Sequence, residues 1–313
     1  MKRFVRNLGL FAAIQAAIGA AIFSSIRPDD DHYAAATIDK NRLLDEAPPP
    51  RVIFVGGSSV AFSTDCPTVE RRMPPYHAVN MGLMALLGVE YMLGEVAGRV
   101  RQGDIVIISL EYEQFVQDQS SAMIVRVLEH RPANLAYFSP KRLGDLGMGY
   151  IGAAVRRGLR GIRGKRDRSE PPYVRSGFNE CGDLVMHRTM PPPEFAPPTP
   201  LRLLPGSQGQ IDRTIDRLNA FGRLSRRGGA SAFYAHPAVM QSYYDRSRQA
   251  VEHIDAELRR RLGFPVLNTP RSACLPRQMF FNSNYHPGEQ GALKRTNDLV
   301  DALRAKLGPA AMP

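Results

Sequence analysis

Cysteine is scarce in this chain, and the little there is follows no metal or scaffold pattern. Cys66, Cys181 and Cys274 stand far apart among 313 residues, which excludes a zinc site of the paired-cysteine type and a small fold stapled by several disulfides. At most one disulfide is open, with Cys181 to Cys274 conceivable in an oxidising compartment, and three unpaired thiols is the plainer reading. The chain also lacks C2H2 spacing, a heptad run, an RNP-like aromatic signature and any internal repeat. A net charge of +11 therefore does not point to nucleic acid, and anionic lipid or an acidic polysaccharide suits it as well.

Long apolar runs are missing too, with one exception. Lys2, Arg3 and Arg6 precede an apolar stretch from Leu8 to Ile26, interrupted only by Gln15, glycines and two serines, and Asp29, Asp30 and Asp31 follow it. Such a stretch just reaches across a bilayer core as a helix, and its flanking charges orient the N-terminus inside. Residues 1–26 thus read as a transmembrane signal anchor of the inner membrane, single-pass, with the C-terminal domain in the periplasm. A cleaved signal peptide is the rival reading, but no small-x-small site with a polar segment behind it stands out.

What is present suits a globular domain: 43% of residues are hydrophobic and 23% charged, enough for one large core. Residues 27–50 are polar and end in Ala47-Pro48-Pro49-Pro50, which reads as a stiff, non-helical linker. The domain proper then spans 51–313. Arg51 to Val55 reads as a buried strand stopped by Gly56-Gly57, a second strand ends near Val79, Gly82 to Val100 has helical spacing, and Asp104 to Leu110 is again a strand. The alternation resumes with strands at Ala230–Ala235 and Pro265–Asn268 and helices at Gln241–Leu262 and Pro287–Leu307. Short continuous apolar strands alternating with helices predict an α/β fold with a mainly parallel sheet covered on both faces. Residues 132–208 interrupt the pattern with Arg156, Arg157, Arg160, Arg163, Lys165, Arg166 and Arg168 and two proline runs. This insertion reads as an exposed loop or lid, either simply solvated or drawn to anionic headgroups or an acidic glycan.

Ser58 follows a buried strand and two glycines, so its hydroxyl is presented at the carboxyl end of a parallel strand, where open α/β sheets place their sites. Glycines there permit a sharp turn and let backbone N–H groups face a carbonyl oxygen. His286, in the turn Tyr285-His286-Pro287-Gly288 before the last helix, is the candidate general base that a serine nucleophile requires. His236, after the strand at 230–235, is a candidate ligand contact. His77 reads as structural, and His130 as solvent-facing.

Val55-Gly56-Gly57-Ser58-Ser59, Val79-Asn80-Met81-Gly82 and Asn282-Ser283-Asn284-Tyr285-His286-Pro287 together resemble the blocks of the SGNH, or GDSL-like, hydrolase superfamily, in particular its membrane-anchored envelope members. The resemblance covers most of 51–307, the insertion excepted. It implies a three-layer sandwich, Ser58 as nucleophile, oxyanion donors at the N–H groups of Ser58 and Gly82, and an acid shortly before His286. The chain departs from the family there, because Ser283 and Asn282 occupy the positions where that acid is expected. Asn282 is left to orient the ring through its side-chain oxygen, with Glu289 or Asp65 as substitute carboxylates. It departs again after the third strand, where Leu110-Glu111-Tyr112-Glu113 stands in place of the Gly-x-Asn-Asp whose asparagine completes the oxyanion hole, leaving Glu111 as a candidate substrate contact or as a strand-end residue paired with an arginine. Phe178-Asn179-Glu180-Cys181-Gly182-Asp183 is similar to a loop motif of the envelope relatives, making Asn179 a further candidate substrate contact. The expectation is an exported esterase or acyl transferase on an ester of an envelope saccharide, without metal or organic cofactor and with a possible envelope protein complex as partner. The alternative is a silent domain that binds a glycan or partner in polysaccharide synthesis or export.

Overall fold

The computed structural model describes residues 2–24, 29–117, 121–139, 144, 152, 155–162 and 169–308. Four short strands build its main sheet: β1 Arg51–Gly56, β2 His77–Asn80, β3 Ile105–Ser109 and β4 Ser231–Tyr234. They run parallel in the order β2-β1-β3-β4, with Phe54 opposite Asn80 on one side and Ile107 on the other. A separate two-stranded parallel pair joins β5 Val239–Met240 to β6 Cys274–Leu275.

The strand interiors are apolar on both faces, with polar residues such as Arg51, Asn80 and Ser109 only at strand ends, because both faces of the sheet are covered. Ile53, Val55, Val106 and Ile108 point into one apolar cluster, while Val52, Phe54, Ile105 and Ile107 point into another. Alternate residues of a strand face opposite sides, so the fold is α/β with helices on both faces of a small parallel sheet. One face is covered by α5 Val89–Ala97 and α7 Ser207–Arg227, with α8 Gln241–Arg261 packed against α7, and the other by α4 Cys66–Arg72 and α9 Glu289–Leu307. The expected helix over 82–100 starts only at Val89, because Gly88 adopts φ 81°, a left-handed conformation that breaks the helical run before it. The expected strand at 265–268 is reduced to a single bridge between Tyr234 and Val266.

Four expectations are corrected. The N-terminal run forms α1, Lys2–Ser24, but among the described residues no helix is long and apolar enough to cross a membrane. Its charged first turn, Gln15 and its many alanines in place of leucines dilute its apolar character. The supposed linker is also part of the domain, since α2 Ala36–Glu46 buries Ala36, Thr37, Lys40, Asn41 and Leu44. Arg51, itself fully buried against Asp104 at 2.5 Å, donates to the Leu44 carbonyl, and Lys40 donates to the carbonyls of Asn80 and Gly182 at 2.8 and 2.6 Å. Polar residues that looked like linker are thus anchors for buried carbonyls.

The insertion divides in a similar way. Arg163, Lys165, Arg166 and Arg168 lie outside the described residues, and Arg156 and Arg160 are exposed. By contrast Val174, Asp183, Leu184 and His187 are buried, so the segment from about 171 to 190 belongs to the core rather than to an exposed loop. His130, the last residue of α6 Ser121–His130, is half-buried rather than solvent-facing, its ring stacked 5.7 Å from that of His32. His77 opens β2 and is exposed.

Candidate active site

β1 is a central strand, and its carboxyl end delivers Gly56, Gly57 and Ser58 to one edge of the sheet. Gly57 is required there by close approach: a Cβ on it would lie 2.5 Å from both carboxylate oxygens of Glu111 and 2.7 Å from the Ala85 nitrogen. With the chain turned so tightly, Ser58 heads α3, Ser58–Ser63, and its N–H belongs to the first turn, whose donors have no acceptor within the helix.

His286 reaches Ser58 from the turn before α9. That turn is closed by the Phe281 N–H donating to the His286 carbonyl at 2.8 Å and by the Gly288 N–H donating to the Met279 carbonyl at 2.8 Å. The His286 Nε2 lies 2.9 Å from Ser58 Oγ. Its Nδ1 lies 2.8 Å from Asn282 Oδ1, while Asn282 Nδ2 donates to the Tyr173 hydroxyl at 2.8 Å. Tyr173 thereby turns the amide so that oxygen, not nitrogen, faces the ring. An Nδ1–H donated to that oxygen leaves Nε2 as the acceptor for the serine proton. Residues 228 positions apart in sequence thus form a serine, histidine and asparagine relay.

The ring is held in place by packing as well. Phe62 stacks on His286 at 3.9 Å with only 10° between planes, and Phe62 also meets His187 at 4.5 Å. Burial in this aromatic surround, with a smaller contribution from His187, pushes the His286 imidazole down to about 3. No carboxylate offsets that desolvation, so the neutral base persists across the ordinary pH range.

Glu111 sits beneath the same turn. Its Oε1 accepts the Ser59 N–H at 2.8 Å, and its Oε2 is buried with no hydrogen-bond partner among the described residues. Burial raises the carboxyl to about 7, with the Ser59 N–H opposing. Glu111 therefore adjoins the Ser58 turn, but as a largely buried group.

The other candidates are placed elsewhere. The Gly82 N–H, expected to face an oxyanion, donates instead to Asn80 Oδ1 at 2.8 Å. That side chain is fixed because Asn80 Nδ2 donates to Asp183 Oδ1 at 2.8 Å and to the Val60 carbonyl at 3.2 Å. Asn179 holds the Asp183 N–H at 2.8 Å within its own turn. His236 is 0% exposed, with Asp255 on Nε2 at 2.7 Å and Tyr112 on Nδ1 at 3.2 Å, so it presents no surface to a ligand. Asp65 caps α4 and pairs with Arg188 at 2.6 Å, and Glu289 is exposed at the start of α9. Neither takes the role of the missing acid.

Sequence reasoning missed Tyr173, Phe62 and His187. Tyr173 and His187 lie in the segment read as an exposed insertion, and Phe62 reads only as an apolar helix residue, so no local signal marked them. Among the described residues, the one group of side chains near enough together that it could hold a metal is Cys66, Cys181 and Asp183. Comparison of the chain with protein-family models finds no match, and neither does comparison with curated proteins.

Proposed function

We propose that this chain is an exported, SGNH-hydrolase-like serine esterase or acyl transferase acting on an ester of an envelope saccharide. The observation that carries the proposal is the relay itself: a serine hydroxyl at a strand end, 2.9 Å from an imidazole nitrogen whose opposite nitrogen is held at 2.8 Å by an amide oxygen. That constellation supports nucleophilic acyl chemistry, because a serine becomes reactive only when a base removes its proton. His286 Nε2 takes the proton as Ser58 Oγ attacks the ester carbonyl. The oxyanion then forms near the Ser58 N–H, and the protonated imidazole returns its proton to the departing alcohol. Water or a sugar hydroxyl, activated by the same nitrogen, completes hydrolysis or transfer. The three-layer SGNH arrangement belongs to the same proposal, supported by the parallel sheet and the location of Ser58.

Export rests on the N-terminal basic and apolar pattern. Arg3 and Arg6 beside exposed Phe4, Leu10, Phe11, Ile14 and Ile18 on α1 suit attachment to an anionic membrane surface.

A second reading is a silent domain of the same fold that binds a glycan or a partner in polysaccharide synthesis or export. It is favoured by the engaged Gly82 N–H and by the uncharged Asn282, since the amide stabilises imidazolium less than a carboxylate does. The deciding experiment treats the full chain with a fluorophosphonate probe and a short-chain aryl ester, beside Ser58→Ala and His286→Ala. Labelling and turnover that both variants lose support the enzyme. Wild-type protein that neither labels nor turns over from pH 5 to 9 sinks simple hydrolysis and leaves the binding reading.

A further inference from the structure

Behind the site, two of the three thiols have come together. Cys66 opens α4, and Cys181 lies in the turn that covers the edge strand β2, where its carbonyl accepts the Asn80 N–H at 2.9 Å. The two sulfurs and an Asp183 oxygen all lie within 4.8 Å of one another. The Cys66 thiol donates to Asp183 Oδ1 at 3.2 Å, and the Cys181 sulfur lies 3.6 Å from Oδ2, with Asn179 Oδ1 its nearer acceptor at 3.3 Å. Asp183 is fully buried and also takes the Cys66 N–H at 2.7 Å.

Access is one-sided. Cys66 is buried, but Cys181 lines an open cavity of about 510 Å³ together with Pro67, Glu70, His77, Asn179 and Glu180. Cys274, the partner conceivable from sequence, instead donates to its own turn at the Pro270 carbonyl, 3.3 Å away.

We propose that Cys66 and Cys181 are a disulfide-forming pair, oxidised by exchange with an external protein or small-molecule disulfide that reaches Cys181 through this cavity. The Cys181 sulfur attacks the incoming disulfide, forming a mixed disulfide and releasing one thiol. The Cys66 sulfur then displaces the second thiol and closes the bridge. The two cysteine protons leave on the two departing thiols, and the two electrons lost by the pair reduce the incoming disulfide. A bound cation is the poorer use of the same atoms. Lys40 Nζ, 2.6 Å from the Gly182 carbonyl, already supplies a positive charge beside Asp183, and a metal requires both thiols ionised at once, which the burial of Cys66 and the adjacent Asp183 carboxylate oppose. The bridge ties α4 to the turn that holds Asp183, and so reinforces the chain of hydrogen bonds from Asp183 through Asn80 to Gly82. It requires only an oxidising compartment, whatever the chemistry at Ser58.

The test exposes the native full chain to oxidised glutathione, blocks remaining thiols with N-ethylmaleimide, and maps peptides by mass spectrometry without reduction. The expected result is a Cys66 to Cys181 linked peptide with Cys274 alkylated. Oxidised protein should also melt roughly 5–10 °C above reduced protein, a difference that persists in Cys274→Ser and vanishes in Cys66→Ser. Three alkylated cysteines, a bridge to Cys274, or Cys181 stalled as a glutathione adduct overturns the proposal. The peptide map needs no variant, so the bridge is detected or excluded even where Cys66→Ser folds poorly.

Discussion

Two histidines in this molecule each have one of the two partners of a serine, histidine and carboxylate arrangement. His286 has a serine at 2.9 Å but an amide for its second partner. His236 has a true carboxylate, Asp255 at 2.7 Å, but faces the Tyr112 hydroxyl deep in the core. Burial lowers both imidazoles, His236 against the pull of Asp255. Burial would raise the Asp255 carboxyl, but hydrogen bonds from His236 and Arg259 hold it below the ordinary carboxylate range. The difference teaches that a histidine and acid pair is a poor marker of a site when no reacting group can reach it. At His236 the pair serves to satisfy buried polar atoms, and at His286 the geometry serves a group near the surface.

That contrast can be broken most sharply by exchanging damage between the two. His286→Ala should lower aryl ester turnover by about 10³-fold or more with little change in urea unfolding. Asp255→Ala should cost about 3 kcal/mol of stability by leaving His236 and Arg259 without their partner, yet leave fluorophosphonate labelling per folded molecule unchanged. If Asp255→Ala abolishes labelling while the protein stays folded, the division between the two histidines fails.

A smaller effect comes from Glu111. Its folded-state value of about 7 lies above the ordinary 4.5, so the folded chain holds the proton more tightly than the unfolded one. The associated stability is fully present below pH 4.5 and is lost as pH rises through 7. Glu111→Gln should therefore flatten the fall in stability between pH 5 and pH 8, a change of roughly 3 kcal/mol at most. Urea unfolding at both pH values checks this, and an unchanged slope would assign the pH dependence to other groups.

The finest adjustment is Asn282→Asp, which gives His286 the charge that His236 already enjoys. Turnover should rise by about tenfold or more, and the acid limb of the pH profile should move upward from the region near 3 as the carboxylate favours imidazolium. Equal turnover in both forms would mean that tautomer control by Asn282 and Tyr173 already suffices.

The parallel sheet was legible because apolar strands such as Arg51–Val55 and Asp104–Leu110 interrupt helical spacing, and that periodicity is local. Ser58 and His286 were legible from glycine and proline chemistry at turns. Lys40 was not legible as buried, and although Arg51 fell in a strand read as buried, nothing near either residue announces the carbonyls and the carboxylate they satisfy. Tyr173 was hidden by the prolines and arginines around it, which made a packed segment read as an exposed insertion.

The sequence by itself determined the alternation of strand and helix, the strand-end position of Ser58 and the absence of an acid beside His286. These depend on neighbouring residues and on backbone preference. Only the tertiary structure decided that Asn282 turns its oxygen to the ring, that the Gly82 N–H is taken by Asn80, that His236 is sealed in the core, and that Cys181 meets Cys66 rather than Cys274. Each of those contacts joins residues through burial and hydrogen bonding in three dimensions, where sequence separation sets no distance.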